Sequence, residues 1–244
     1  MTDTERTQRL ALAATIGLTF VTGVVDAVGF LALDRVFTGN MTGNIVILGM
    51  GIAGADELPV AGPAIALAAF TLAAYGAGML LRKPRSVHPP GWHDRVTVLL
   101  GAGAATLAAL AVLAAVTDGR PGPGLQIAMA AATAAVMGSQ AVAARTLAVT
   151  DMTTVVVTST LAALAGESWP RGGGGALLNR RLGAILVLFA GAVGGALLLR
   201  LHTALAFGTA AAITAVVAVL GHTRLSLTAA GRHAPTPEPT PQRP

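Results

Sequence analysis

Asp26 is the residue whose setting points most directly to chemistry, because it interrupts an apolar run from Leu10 to Leu33. Near the centre of a membrane-spanning helix a carboxylate costs about 2.5–3.5 kcal/mol on insertion scales, so it usually faces the bundle interior with a partner or a function. Asp26 is therefore either a protonatable or cation-binding group on a transport pathway, or a packing group hydrogen-bonded to a neighbouring helix. Ser139 and Gln140, in a later apolar run, are candidate neutral partners.

A polar, turn-forming stretch from residue 38 to 44 follows this first apolar run. Its glycines permit tight or left-handed backbone, and Thr38, Asn40, Thr42 and Asn44 provide hydrogen-bond donors and acceptors. Such groups bind a polar solute or cap the helix that follows, and Thr42 or Asn44 alone suffices for a cap. Because one cap needs only one residue, all four are candidates for lining a solute pathway.

A second polar stretch, 150–154, repeats this arrangement at an offset of 111 residues, which aligns Met41 with Met152 and makes Asp151 and Thr153 candidates for the same pathway. In each half, one long apolar run precedes the polar stretch, and a short apolar segment and two long runs follow it. Sequence identity is low, so the likeness is either an internal repeat of hydropathy or a chance similarity of two Ala-rich halves. Paired short segments are the best sequence indication of a transporter's binding site.

Several other kinds of chemistry lack the residues they need. The chain of 244 residues has no Cys, which excludes disulfides, thiolate metal sites and cysteine nucleophiles. His88 and His93, two loop histidines without a carboxylate cluster, make a poor metal site. The G-x-S-x-G, H-E-x-x-H and Walker A signatures are absent from the sequence. We therefore expect no metal, no cofactor and no enzymatic activity.

The composition indicates what kind of elements hold these residues. The chain is 54% hydrophobic and 11% charged, with a mean hydropathy of +0.70, whereas a soluble domain has roughly 25% charged residues. Its 30 Gly residues suit close helix packing in lipid. The net charge of +5 comes mainly from short loops, which the positive-inside pattern explains better than nucleic-acid binding. These features predict an all-α polytopic membrane protein.

Six apolar stretches reach or approach the roughly 17–25 residues of a spanning helix: 10–33, 61–81, 96–116, 125–144, 182–199 and 203–220. Two further segments, 45–55 and 155–165, cover only about half of the hydrocarbon core. The expected organisation is a cytoplasmic N-terminus (1–9), one membrane domain (10–222) with repeat halves at about 10–117 and 124–222, and a disordered Pro-rich tail (223–244).

The Lys and Arg residues indicate how many stretches cross the membrane. If one or both short segments cross, seven or eight spans result, and with eight the basic residues divide about 9 to 7 between the two sides. If both segments enter and return, six spans result, and only Arg35, Arg120 and Arg200 lie opposite the others, a split of about 13 to 3. The positive-inside rule favours six spans with both termini in the cytoplasm. The two halves then have inverted topology, and the short segments are re-entrant.

Two neighbouring segments share a recognisable pattern, formed by Asp26, Gly29, Phe30, Phe37, Met41, Thr42, Gly43 and Asn44. This pattern resembles the hallmark of the YoaK family of small bacterial membrane proteins, a domain of unknown function. The resemblance implies a multi-spanning inner-membrane protein in which Asp26 and the Met-Thr-Gly-Asn stretch belong to one feature. It implies no substrate, reaction or cofactor.

We expect a transporter or channel for a small molecule or ion, with its site where Asp26 and the two polar stretches meet near the membrane midplane. One alternative is a non-transporting scaffold or accessory subunit in which Asp26 serves packing. Another is a membrane-embedded enzyme that acts on lipid through Asp26 and Asp151. The expected setting is the bacterial inner membrane. The expected partners are the lipid bilayer, a small solute or ion and a second copy of the chain, with no nucleic acid.

Overall fold

The computed structural model describes residues 3–55, 57–82, 92, 94–146 and 175–225. These residues form seven α-helices and no β-strand, and a π-helical turn at Gly221–Leu225 follows the last helix. The helices are α1 (Asp3–Ala32), α2 (Met41–Ile52), α3 (Ala61–Leu81), α4 (Asp94–Val116), α5 (Pro123–Thr146), α6 (Gly175–Leu201) and α7 (Thr203–Leu220). All except α2 are long and apolar enough to cross a membrane, which confirms the predicted all-α membrane fold.

Most predicted boundaries agree with the helices, and the differences have a physical reason. α3 and α7 match residue for residue, whereas α1 begins at Asp3 and α6 at Gly175, each seven residues earlier than predicted. Hydropathy marks only the part of a helix that lies in lipid, and its backbone hydrogen bonding continues beyond that part. The first short segment is α2, which begins at Met41. The second, 155–165, and the tail from 226 to 244 lie outside the described residues.

One end of the bundle, called the near end, contains the start of α1. Leu10 of α1 and Leu220 of α7 border the same groove there, so these two helices are antiparallel. Asp94, the first residue of α4, has its Oδ1 atom 3.6 Å from His222 Nδ1, just after α7. The near end therefore also contains the start of α4 and the end of α7.

The opposite end, called the far end, contains the end of α1. The start of α3 lies there, because Gly62 packs against the side chain of Val36, which follows α1. Asp118 Oδ1, in the turn between α4 and α5, lies 3.7 Å from His202 Nε2, the single residue between α6 and α7. The end of α5 and the start of α6 therefore both lie at the near end. Each connection that contains a short segment begins and ends on one side, so the described helices cross six times rather than seven or eight.

The packing of the two halves follows an inverted repeat. α1 packs along α6 with both running from the near to the far end, and α5 packs along α3 with both running the opposite way. Glycines permit the closest approaches, Gly23 to the carbonyl of Leu188 and Gly138 to the carbonyl of Phe70. α1 and α5 are the most buried spans, at 56% and 50%, and α3 and α6 the least buried, at 11% each. Exchanging the halves therefore preserves the packing pattern.

Candidate functional site

After α1 the backbone reverses and returns along its own helix. Asp34 and Arg35 have positive φ values of 63° and 55°, and the carbonyl oxygen of Gly29 accepts a hydrogen bond from the Val36 amide at 3.2 Å. A Cβ atom at residue 29 would collide with the carbonyl oxygen of Val36. Glycine at this position therefore allows the segment 36–40 to lie against α1.

This return brings three consecutive backbone amides to the carboxylate of Asp26. Its Oδ1 atom accepts hydrogen bonds from the amides of Gly39 at 2.6 Å, Thr38 at 2.9 Å and Asn40 at 3.4 Å. The Thr38 hydroxyl lies 3.4 Å from the same oxygen. Asp26 and the first polar stretch thus form one structural feature.

α2 consequently begins at the depth of Asp26 along the bundle rather than at its far end. Asp26 lies about 9 Å of helix rise before Ala32, the last residue of α1. Near the other end of α2, Gly51 lies against the carbonyl oxygens of Leu58 and Pro59, just before α3. α2 therefore runs from the level of Asp26 back to the far end, as a re-entrant helix. Non-helical backbone at such depth requires buried partners, and Asp26 supplies one of them.

Asn44 supplies the other partner, through both ends of its amide. Its Oδ1 atom accepts from the Phe37 amide at 2.8 Å, and its Nδ2 atom donates to the Phe37 carbonyl at 2.6 Å. Asn44 and Thr38 are fully buried. Asn40, not Thr42 or Asn44, caps α2, because its Oδ1 atom accepts from the amide of Gly43 at 3.2 Å. Of the four polar side chains predicted to line a pathway in this stretch, two are buried and hold the re-entrant backbone in place, namely Thr38 and Asn44. Asn40 caps α2, and Thr42 is exposed.

The second carboxylate oxygen of Asp26 is the open part of this arrangement. Oδ2 has no hydrogen-bond partner among the described residues, and the side chain is half-buried. The positive end of the α2 dipole faces the carboxylate. Within the described ranges, no group of three or more His, Cys, Asp or Glu side chains is placed to hold a metal ion. Among the described residues, Asp26 therefore has one hydrogen-bonded carboxylate oxygen and one without a partner, at membrane depth.

A family model described as a protein of unknown function (DUF1275) matches residues 14–220, which include both halves and the re-entrant segment. The chain belongs to the DUF1275 family. Its sequence is 34% identical to the UPF0700 transmembrane protein YoaK of Bacillus subtilis (strain 168), over 147 residues or 60% of this chain. The chain spans 62% of the length of that relative in this alignment. No solved structure matches the chain.

These matches confirm the predicted resemblance to YoaK and the membrane class. The DUF1275 match begins one residue before Thr15 and so contains Asp26 and the threonines that precede it on α1. The family description states no activity.

Gln140, on α5, contacts α1 at a different level from Asp26. Its Nε2 atom donates to the carbonyl oxygen of Leu18 at 3.2 Å, and its Oε1 atom has no partner among the described residues. The residue is only 5% exposed, and an unpaired buried acceptor costs about 1–3 kcal/mol. Ser139 donates to Ala135 on its own helix at 3.0 Å. The two expected neutral partners of Asp26 thus take other hydrogen bonds.

Three threonines on α1 were not singled out in the sequence analysis. Thr15, Thr19 and Thr22 precede Asp26 with spacings that place all four within an arc of about 60° on the helix. All three are buried, at 4% exposure or less. Each hydroxyl donates to the carbonyl four residues earlier, at 2.8–2.9 Å. The i, i+4, i+7, i+11 spacing was the available signal for this polar face.

The repeat extends to one of these hydrogen bonds. The Thr22 hydroxyl donates to Leu18 at 2.9 Å, and the Thr133 hydroxyl on α5 donates to Met129 at 2.8 Å. Both pairs are separated by the same offset of 111 residues that aligns the polar stretches. Two predicted pathway residues lie outside the described residues, namely Asp151 and Thr153.

Proposed function

We propose that this DUF1275 protein is a small-molecule or ion transporter in a bacterial cytoplasmic membrane, with Asp26 as the group that binds a cation or a proton. One observation carries this proposal. The re-entrant backbone fixes Oδ1 of Asp26, while Oδ2 has no partner among the described residues. A carboxylate held in one orientation inside a spanning helix is costly to keep, and a binding role accounts for an oxygen that no described residue uses.

The architecture supports the same proposal. Many secondary transporters consist of inverted repeats whose interrupted helices meet near the membrane midplane. α1 and α5 are inverted counterparts among the described helices, and α2 is a short re-entrant helix that begins at the level of Asp26. The 13 to 3 distribution of basic residues supports a cytoplasmic near end. The far end, where α2 returns, then faces the outside.

A scaffold or accessory subunit is the second candidate, and a specific observation favours it. Asn44 uses its amide on Phe37, and Thr38 is fully buried, so these two side chains serve packing. If Asp26 also serves only to hold the re-entrant backbone in place, its Oδ1 atom is sufficient for that role.

The substitution Asp26→Asn separates these two functions. Asparagine keeps an oxygen for the amides of residues 38 and 39 but removes the charge. It therefore preserves these hydrogen bonds and abolishes the cation site. Asp34→Asn is the matched control, because Asp34 is exposed in the turn after α1 and its positive φ suits asparagine.

Purified protein in liposomes is tested by solid-supported-membrane currents and uptake of a panel of small solutes, with Na⁺, K⁺, H⁺ and methylammonium as the first set. We expect a flux that Asp26→Asn abolishes and Asp34→Asn retains, with both variants folded by size-exclusion chromatography. A flux that survives Asp26→Asn, or a folded wild-type protein that moves no solute of the panel, would favour the scaffold.

A further inference from the structure

The polar face of α1 continues beyond Asp26 toward the near end of the bundle. Gln8, which is exposed near the start of α1, lies in the same angular sector as Thr15, Thr19, Thr22 and Asp26. From Gln8 to Asp26 this face extends about 27 Å. It therefore covers most of the length of a spanning helix, which has about 30 Å of hydrocarbon core to cross.

Between Thr15 and Asp26, the hydrogen bonds of this face leave only acceptors. The hydroxyl hydrogens of Thr15, Thr19 and Thr22 are used on backbone carbonyls of α1. A hydroxyl oxygen has two further acceptor positions, and these remain for another group. The Oδ2 atom of Asp26 is also an acceptor. No donor hydrogen of these four side chains is left over.

Gln140 adds a further acceptor from the facing helix. The atom beside the Leu18 carbonyl must be a donor, which assigns it as Nε2 and leaves Oε1 as the atom without a partner. The Leu18 carbonyl also accepts from the Thr22 hydroxyl, so the Gln140 amide lies beside the threonine face. Leu18 precedes Asp26 by about 12 Å of helix rise.

We propose that Oε1 of Gln140 and the threonine oxygens form, with Oδ2 of Asp26, an acceptor-lined track for a small cation or a protonated amine. This proposal rests on the proposed function and names its substrate class. Oxygen acceptors replace the hydration shell of a cation, and they satisfy the N–H groups of an ammonium ion. The threonines and Asp26 offer an anion no donor hydrogen, and one N–H group of the Gln140 amide is already used on the Leu18 carbonyl. Gln140 is then a second binding position on this track, about two helical turns from Asp26 toward the near end of the bundle.

Binding is measured without transport, on purified protein in detergent. NaCl, KCl and methylammonium chloride are each titrated at constant ionic strength against N-methylglucamine chloride, and the midpoint of heat unfolding is recorded. A ligand that binds only the folded protein raises this midpoint in a saturable way. We expect at least one of the three cations to do so, and we expect gluconate in place of chloride to change nothing.

Gln140→Leu removes the second binding position, because it replaces the amide by an apolar side chain that fills the same space. We expect the apparent affinity for the stabilising cation to fall about tenfold or more, which corresponds to about 1.4 kcal/mol or more. Thr19→Val removes one hydroxyl oxygen and should reduce affinity by a smaller factor. Thr214→Val is the matched control, because Thr214 is equally buried and bonds to Ala210 on its own helix, α7, away from the track.

Unchanged affinity in Gln140→Leu, or stabilisation that follows the anion instead of the cation, would overturn the track. If Gln140→Leu does not fold, Gln140→Glu decides, because it keeps an acceptor and adds charge; it should bind the cation at least as tightly as the wild type, and weaker binding overturns the proposal. Cation binding that depends on Gln140 in a protein without flux supports the track and counts against transport. Flux that depends on Asp26 but not on Gln140 removes the track alone.

Discussion

The first helices of the two halves, α1 and α5, have nearly the same burial and a matching threonine, yet they differ at two positions that carry chemistry. Where α1 has Asp26, α5 has Met137 at the 111-residue offset, and where α1 has Gly29, α5 has Gln140. Met137 is buried in the apolar core. The repeat thus supplies a common frame, and a few substitutions within it place the charge in one half and the buried amide in the other.

The second of these differences, glycine in α1 against glutamine in α5, gives the two equivalent positions different roles. Gly29 has no side chain, which leaves room for the returning segment 36–40 against α1. Gln140, at the equivalent position of α5, has a side chain that reaches the carbonyl oxygen of Leu18 on α1. An inverted repeat with identical halves would hold two identical sites. Here the two halves contribute different groups to one interface.

The largest expected effect tests which side of the membrane each end of the bundle faces. The chain has no Cys, so Arg82→Cys at the near end and Arg120→Cys at the far end can each be labelled without background. On intact cells, an impermeant maleimide should label Arg120→Cys fully and Arg82→Cys only after the membrane is permeabilised. The reason is that α3 and α4 meet at the near end, which the positive-inside rule places in the cytoplasm.

The two cysteine variants serve as controls for each other, since both side chains replace exposed arginines. Labelling of both from outside would contradict a six-span bundle with alternating ends. Labelling of Arg82→Cys alone would fit eight spans with a cytoplasmic N-terminus, or six spans in the reversed orientation, and would contradict six spans with both termini in the cytoplasm.

The next effect compares Asp26 with its counterpart Met137. Asp26→Leu leaves the amides of Thr38 and Gly39 without their acceptor, and each unpaired amide costs about 1–3 kcal/mol. We expect a loss of about 2–5 kcal/mol in the free energy of unfolding, measured by steric trapping in bicelles. Met137→Leu, a volume-conserving change, should cost less than about 1.5 kcal/mol. Equal losses at both positions would mean that the re-entrant segment does not depend on Asp26.

A smaller effect concerns Gly29. Gly29→Ala places a methyl group against the carbonyl oxygen of Val36, so the reversal after α1 must shift, and such overpacking typically costs about 1–3 kcal/mol. Gly101→Ala, on α4, has open space around the new methyl group and should be neutral or stabilising by up to about 1 kcal/mol. The same steric-trapping assay measures both. A Gly29→Ala protein as stable as Gly101→Ala would show that segment 36–40 tolerates displacement.

The sequence was sufficient for the frame and for one half of the site. Hydropathy located all six long helices, and loop charge favoured a returning segment over a seventh or eighth span. Asp26 and the 38–44 stretch stood out because polar residues are rare in a chain with this composition. What hydropathy cannot predict is which donor meets which acceptor. The main partners of Asp26 are backbone amides, which every residue except proline has, so the residue type does not identify them.

The other omissions have the same physical origin. Gln140 was expected to pair with Asp26, but the offset between α1 and α5 brings it to Leu18 instead. That offset depends on packing between helices, not on residue types within one. The threonine face was legible as an i, i+4, i+7 spacing in α1, and it was overlooked because each threonine by itself is compatible with an apolar helix that bonds to its own backbone.

The smallest expected effect tests the cap of α2, where the predicted residue and the observed one differ. Asn40→Ala removes the oxygen that accepts from the amide of Gly43, and loss of such a cap costs about 1 kcal/mol. Thr42→Ala should change stability by less than about 0.5 kcal/mol, because Thr42 is exposed. Hydrogen exchange of peptides covering α2 measures the difference locally: Asn40→Ala should speed exchange in the first turn of α2 and leave α5 unchanged. Asn40→Ser restores a capping oxygen and should restore protection.

Faster exchange in Thr42→Ala than in Asn40→Ala would show that Thr42 caps α2, as the sequence predicts. Protection unchanged in both variants would mean that the amides held by Asp26, rather than the cap, fix the start of this helix.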